Sequence, residues 1–369
     1  MSGDPARAEL DAEILRWMRE PAWQDSDARF AELARALFRF QFEHCESYGR
    51  FCAGRGVTPD SLPSWRAIPA VPTGAFKELA LHSFPAERSV HRFETSGTSL
   101  SARGTLHLDT LDLYEASLLP TFRRHVFPDL PEAERASVRV LAPSAAEAPH
   151  SSLSHMFAVV LRELATPDSD FVVRDGALEV ERLLLDLERA AASQTPLTLC
   201  GTAFSFVHLL DALEQRGARI PLPEGSRVME TGGFKGRSRE LGRGELYASI
   251  EAALGIPAQR IVNQYGMTEL GSQFYDSVLR FPGEPRRKLC PPWARVVLRD
   301  PVTGDTSGAD AAGSITVFDL ANTGSVFALQ TADLGRPAAD GFEVLGRASG
   351  AEARGCSIAI DELLSRAAP

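Results

Sequence analysis

The stretch FETSGTSLSARG, residues 93–104, gathers hydroxyl side chains, two glycines and one arginine between two apolar stretches. Hydroxyls and free backbone N–H groups on such a loop can wrap phosphate oxygens. Thr95, Ser96, Thr98 and Ser99 supply hydroxyls, and Gly97 lets the main chain come close. Arg103 can neutralise charge and pair with two oxygens at once. The stretch is not a Walker A loop, because GxxxxGK[ST] is absent. A second segment, NQYGMTELG at 263–271, follows a predicted strand. There Glu269 can hold a magnesium ion that bridges phosphates, Thr268 can touch the same phosphate, and Tyr265 can stack on a flat base. In QTADLG, 330–335, Asp333 can accept two ribose hydroxyls, as acidic residues do in other nucleotide sites. Farther on, Arg347 is a candidate for ribose or phosphate. Cys356 lies beside Gly355, Ser357 and Arg354 near the C-terminal end. A neighbouring cation raises a thiol's thiolate fraction, and a thiolate on a tail can accept an acyl group. Taken singly, these segments also read as a Ser/Thr-rich turn, a solvated glutamate, a turn aspartate and an incidental cysteine.

These residues need elements to position them. Helical periodicity predicts helices over 8–19 and 28–52, with Phe30, Leu33, Leu37 and Phe38 on one face. A proline-punctuated link, 59–79, follows. From residue 137, strands are predicted at 138–143, 170–176, 197–203, 226–233 and 260–266. Helices at 151–164, 178–193, 204–217 and 238–255 alternate with them, and Gly217 and Gly255 fit left-handed caps. The alternation predicts an α/β fold with a mainly parallel, helix-covered sheet. Ligands bind such sheets beyond the carboxyl ends of strands. Gly201-Thr202, Gly232-Gly233 and the Tyr265–Glu269 run fall there. After residue 290, strands joined by turns such as Thr303-Gly304-Asp305 predict a small β-rich lobe. The expected organisation is a helical region at 1–60, an α/β core at 61–290, a β-rich lobe at 291–345 and a short tail at 346–369.

Bulk properties exclude other classes. The formal net charge of −10 argues against nucleic acid as a partner. No apolar run approaches the ~18 residues of a membrane span, and the N-terminus has no signal-peptide core. A cytoplasmic location is the expectation. The five cysteines form no CxxC pair, which argues against a zinc site or a disulfide framework.

The order of the segments is their most informative property. Thr95–Gly104 resembles the TSGTTGxPKG loop of adenylate-forming enzymes, with Arg103 where lysine is usual and Leu100 in place of glycine. Tyr265–Glu269 matches that superfamily's strand-tip motif, Thr331-Ala332-Asp333 resembles its TGD, and Gly346-Arg347 its GR. Within the superfamily the chain is most similar to the acyl-protein synthetases of the LuxE type, on PTGAFKEL (72–79), TGGFKGRSREL (231–241) and RGCS (354–357). The resemblance implies an adenylate-forming N-terminal core with mainly parallel sheets and a small β-rich lobe, the C-terminal lid domain being essentially missing. It implies ATP and Mg2+ as cofactors and a carboxylic, fatty, acid as substrate. The acid would become an acyl-adenylate and pass to a protein thiol, Cys356 in this reading. No lysine follows Lys288, so Lys77, Lys235 or Arg103 would supply charge at the reacting phosphate. The resemblance also assigns Gly232 and Gly233 to the base, and sets His155 near the carboxylate, with a core histidine as the alternative. Gly201, Phe204, Phe157 and Phe206 would bound the acyl pocket. It allows an acyl-donor or acyl-reductase protein as partner. Two alternatives share these residues: a ligase that charges coenzyme A or an acyl carrier, and a non-catalytic nucleotide or acyl binder.

Overall fold

The structure, a computed structural model, describes residues 4–95, 103–232, 242–301, 303–308 and 310–348. The chain divides into two compact units. One comprises Met1–Pro120, Met267–Gln273 and Lys288–Pro369; the other comprises Thr121–Gly266 and Phe274–Arg287.

The second unit carries the predicted alternation. Strands Ser137–Leu141, Leu197–Thr202, Arg227–Thr231 and Ile261–Tyr265 run parallel, with Asp170–Phe171 parallel at one edge and Phe274–Asp276 antiparallel at the other. Their apolar runs are buried, as expected of a parallel sheet packed under helices. Helices Ser152–Leu164, Val180–Ser193, Ala203–Gln215 and Arg243–Leu254 connect them. Leu183, Leu187, Phe206, Leu209, Ile250 and Leu254 pack with Leu199, Val228 and Ile261 in one core. Gly217 and Gly255 adopt left-handed φ of 58° and 68°, which glycine enters without steric penalty. The expected strand at 170–176 is shorter. Only Asp170–Phe171 joins the sheet, while Val173–Arg174 turns back on Ala177–Leu178 as a hairpin.

The first unit begins with helices Pro5–Met18 and Asp27–His44, capped by the side chains of Asp4 and Ser26. The single helix expected at 28–52 is two, because Cys45 takes an extended conformation before Glu46–Gly54 starts. Strands Ala294–Arg299, Gly313–Asp319, Ala328–Ala338 and Gly341–Arg347 form an antiparallel meander. The short strand Lys288–Leu289 pairs with the last of these. The proline-punctuated link contributes a strand, Val71–Pro72, parallel to Ala328–Ala338, and then the 3-10 turn Thr73–Lys77. A separate hairpin pairs His91–Glu94 with Thr105–Leu108. It presents the neck of the hydroxyl-rich loop. No helix among the described residues is long and apolar enough to cross a membrane.

Candidate active site

The hairpin ties Thr95 to Gly104 through its last rung. The Thr95 backbone N–H donates to the Gly104 carbonyl at 2.9 Å, and the Gly104 N–H donates to the Thr95 hydroxyl at 2.9 Å. Gly104 lies close against its support, since a Cβ there would stand 3.2 Å from Thr95 Cγ2 and 3.4 Å from Phe76 Cβ. Phe76 belongs to the 3-10 turn that ends in the exposed Lys77. Arg103 is 58% exposed and faces Glu94, Nη1 to Oε2, at 3.4 Å. Arg92 reaches the other oxygen of Glu94 at 3.1 Å. The Glu94 carbonyl accepts a hydrogen bond from the Thr268 hydroxyl at 3.4 Å. The neck of the loop and the strand-tip motif, remote in sequence, therefore meet at Glu94.

Thr268 and Glu269 are the central residues of a turn closed by Leu270 N–H donating to the Met267 carbonyl at 3.2 Å. A helix start with a solvated glutamate is not what forms, because Glu269 is only 6% exposed. Its backbone carbonyl accepts from Asn322 Nδ2 at 2.7 Å. Just beyond, Ser272 donates to both oxygens of Asp319, from N–H at 2.7 Å and from the hydroxyl at 2.6 Å. The Ala321 N–H also donates to Asp319, at 3.1 Å. Burial pushes the Asp319 carboxyl above the usual carboxylate range, opposed by these hydrogen bonds. Trp293 Nε1 and the Ser117 hydroxyl complete the buried cluster around Ser272. Sequence reasoning missed Glu94, Ser272, Asp319 and Asn322. The one available signal was polar residues in FDLANTGS interrupting an apolar strand end.

Asp333 and Arg347 form a second constellation in the same unit. They are register partners on adjacent antiparallel strands, with Nε to Oδ1 at 3.6 Å. The Asp333 N–H donates to the Thr331 hydroxyl, which itself donates to the Ile315 carbonyl. This fixes the backbone beneath a largely buried carboxylate and an exposed guanidinium.

The other unit holds the remaining described candidates. Gly201 ends its strand with no room for a side chain: a Cβ would lie 2.8 Å from Leu141 Cβ and 3.0 Å from Ser205 Oγ. Phe204 packs edge-on to His208 at 4.5 Å. His155 is partly buried, whereas Phe157 and Phe206 are fully buried core residues. Gly232 has a φ of 81° and is exposed. Tyr265 lies 6.2 Å from Phe274, and Gly266 packs on the Gln264 side chain. Thr231 donates its hydroxyl to Gln264, joining the tips of neighbouring strands. Ser96, Gly97, Thr98, Ser99, Gly233, Lys235 and Cys356 lie outside the described residues.

Among the described residues no group of three or more His, Cys, Asp or Glu can cage a metal. A single buried carboxylate at Glu269 suits magnesium, which usually binds one or two carboxylates together with substrate phosphates and waters.

A family model described as "Acyl-protein synthetase, LuxE" matches residues 8–365. No curated protein sequence matches the chain. Among solved structures, an open conformation of 2-hydroxyisobutyryl-CoA ligase in complex with 2-HIB-AMP and CoA has a TM-score of 0.64 at 16% identity, over 90% of this chain and 76% of that one. The same ligase in its thioesterification state has a TM-score of 0.61 at 17% identity, over 90% and 65%. In the postadenylation state with R3-HIB-AMP it has a TM-score of 0.61 at 15% identity, over 93% and 70%. At these identities the likeness is one of fold alone. With a match over nearly its whole length, the chain belongs to the acyl-protein synthetase, LuxE, family.

Proposed function

We propose that this protein uses ATP to activate a fatty acid as an acyl-adenylate and passes the acyl group to a protein thiol, its own Cys356. An adenylate-forming acyl ligase is supported by family and fold together. The observation that carries the reading to particular residues is the hydrogen bond from Thr268 to Glu94, which joins the loop neck to the strand-tip turn.

In the first step a carboxylate oxygen of the acid attacks the α-phosphorus of ATP. The bond from that phosphorus to the bridging oxygen breaks, and pyrophosphate leaves. Thr95, Ser96, Thr98 and Ser99 donate to phosphate oxygens, Thr268 does so when its hydroxyl turns from the Glu94 carbonyl to the phosphate, and Arg103, Lys77 and Lys235 supply positive charge where negative charge builds up. Magnesium held at Glu269 would neutralise charge on the phosphates. Asp333 and Arg347 hold the ribose, while Tyr265 and Gly266 flank the base with Gly232 and Gly233. His155, Gly201 and Phe204 bound the acid. In the second step the Cys356 thiolate attacks the acyl carbonyl carbon, the carbon–oxygen bond to phosphate breaks, and AMP leaves. The thiol proton goes to solvent. The reaction is assigned to the cytoplasm, with an acyl-donor or acyl-reductase protein as the partner.

The test is the intact mass after incubation with ATP, magnesium and mixed fatty acids. The wild type gains one acyl group as a thioester and releases AMP, and Cys356→Ala makes acyl-adenylate and pyrophosphate without retaining acyl mass. Equal retention by the variant refutes the thiol step. Acyl release that occurs only on adding coenzyme A or an acyl carrier selects that acceptor instead.

A further inference from the structure

We propose that Asp319 and Asn322 are positioning residues that set the Thr268–Glu269 turn for the nucleotide and its metal. The inference rests on the reading of Glu269 given above. Asp319 is fully buried at the end of the strand Gly313–Asp319. A carboxylate is costly in such a place unless donors surround it. Two of its donors come from one residue, Ser272, three positions after Glu269. Asn322 spends its side-chain donor on the carbonyl of Glu269 itself. Asn322 thus reaches the turn itself, and Asp319 fixes the chain two residues beyond it.

The loop bearing these two residues is itself held from the other side. Gln41 Nε2 donates to the Asn322 carbonyl at 2.8 Å, and Gln41 Oε1 accepts from the Phe327 N–H at 3.1 Å. The Ser83 hydroxyl donates to the Thr323 carbonyl at 3.0 Å. The turn thus hangs on a frame whose far side is anchored to a helix and to the segment after the 3-10 turn. A site residue acts well only when its supporting shell holds it within a fraction of an ångström. Among the described residues, Asn322 bonds the Glu269 carbonyl directly and Asp319 holds Ser272 three positions on.

The test measures ATP affinity by calorimetry, without an acid substrate, with and without magnesium chloride. The magnesium-dependent gain in affinity is compared for wild type, Glu269→Gln, Asp319→Asn, Asn322→Ala and Ser325→Ala. Ser325 lies on the same buried loop but donates to Leu81, away from the turn. Glu269→Gln should reduce the gain at least tenfold. Asp319→Asn and Asn322→Ala should reduce it at least fivefold, with metal-free ATP affinity within twofold of wild type, and Ser325→Ala should leave both unchanged. If Glu269→Gln loses the gain while folded Asp319→Asn and Asn322→Ala keep it, the positioning role is overturned and the reading of Glu269 stands. If Glu269→Gln keeps the gain, that reading fails and this inference with it. Should Asp319→Asn not fold, Asn322→Ala decides alone: loss of the gain supports the role and retention overturns it.

Discussion

Gly271→Ala is a one-carbon perturbation next to the turn that carries Glu269. Its added methyl would stand 2.8 Å from Ala321 Cβ, 2.9 Å from Asn322 Oδ1 and 3.1 Å from the Ala321 carbonyl carbon. Carbon atoms rest at about 3.5–4.0 Å, so the methyl must gain roughly 0.7 Å or more. Ala321 has no rotamer with which to yield. Asn322 can yield only by weakening its bond to the Glu269 carbonyl. Overpacking of this kind costs about 1–3 kcal/mol. Leaving a buried carbonyl without its donor costs about 1–3 kcal/mol. The two are alternative ways of relieving one clash, so a total of about 2–4 kcal/mol is expected rather than their sum. If the turn moves, ATP affinity in the presence of magnesium falls with it, by about tenfold for each 1.4 kcal/mol lost from binding. Urea unfolding and ATP calorimetry on the same preparation read both quantities. Gly244→Ala is the control, since a Cβ at that helical position meets nothing within 4 Å; it should stabilise by about 0.4–1 kcal/mol and leave ATP binding alone. A Gly271→Ala protein as stable as wild type, with unchanged ATP affinity, would refute the reasoning.

Gly201→Ala should destabilise the α/β unit by about 1–3 kcal/mol, because the new methyl meets Leu141 and the Ser205 hydroxyl that caps the following helix. Thermal unfolding should fall by roughly 2–4 °C for each kcal/mol, and an unchanged midpoint would contradict the packing described. His107 is held below the ordinary histidine value by partial burial first, then by His82 and Arg92. Below about pH 6.5 the unfolded chain takes up a proton that the folded hairpin resists, so stability is present above that pH and lost as pH falls toward the depressed native value. Wild type should therefore lose more stability between pH 7.5 and 5.5 than His107→Gln, and equal losses would remove His107 as the cause.

The α/β unit was legible because each strand is a short apolar run and each helix has one apolar face. Leu197–Thr202, for instance, is buried along nearly its whole length. Where local signals conflict or vanish, the reading slips. Cys45 breaks a helix with neither glycine nor proline to announce it. The helix Asp112–Val126 carries Pro120 inside it, a residue that argues against a helix, and it went unread. The motifs marked Thr268 and Glu269 but not what holds them. Glu94 meets Thr268 across 174 residues, and Asn322 meets Glu269 across 53. Such side-chain bonds follow from how the chain folds back on itself, and no local pattern records them. Asp319 is the clearest case, since an aspartate at the end of an apolar strand reads as the start of a turn, whereas here it is fully buried.

The central claim is acid-dependent adenylation, and isotope exchange between pyrophosphate and ATP tests it most directly. Wild-type protein with ATP and magnesium should exchange label only when a suitable carboxylic acid from a panel of chain lengths is present, and Glu269→Gln should reduce that exchange at least tenfold. No exchange with any acid, from protein shown to be folded, would contradict the account.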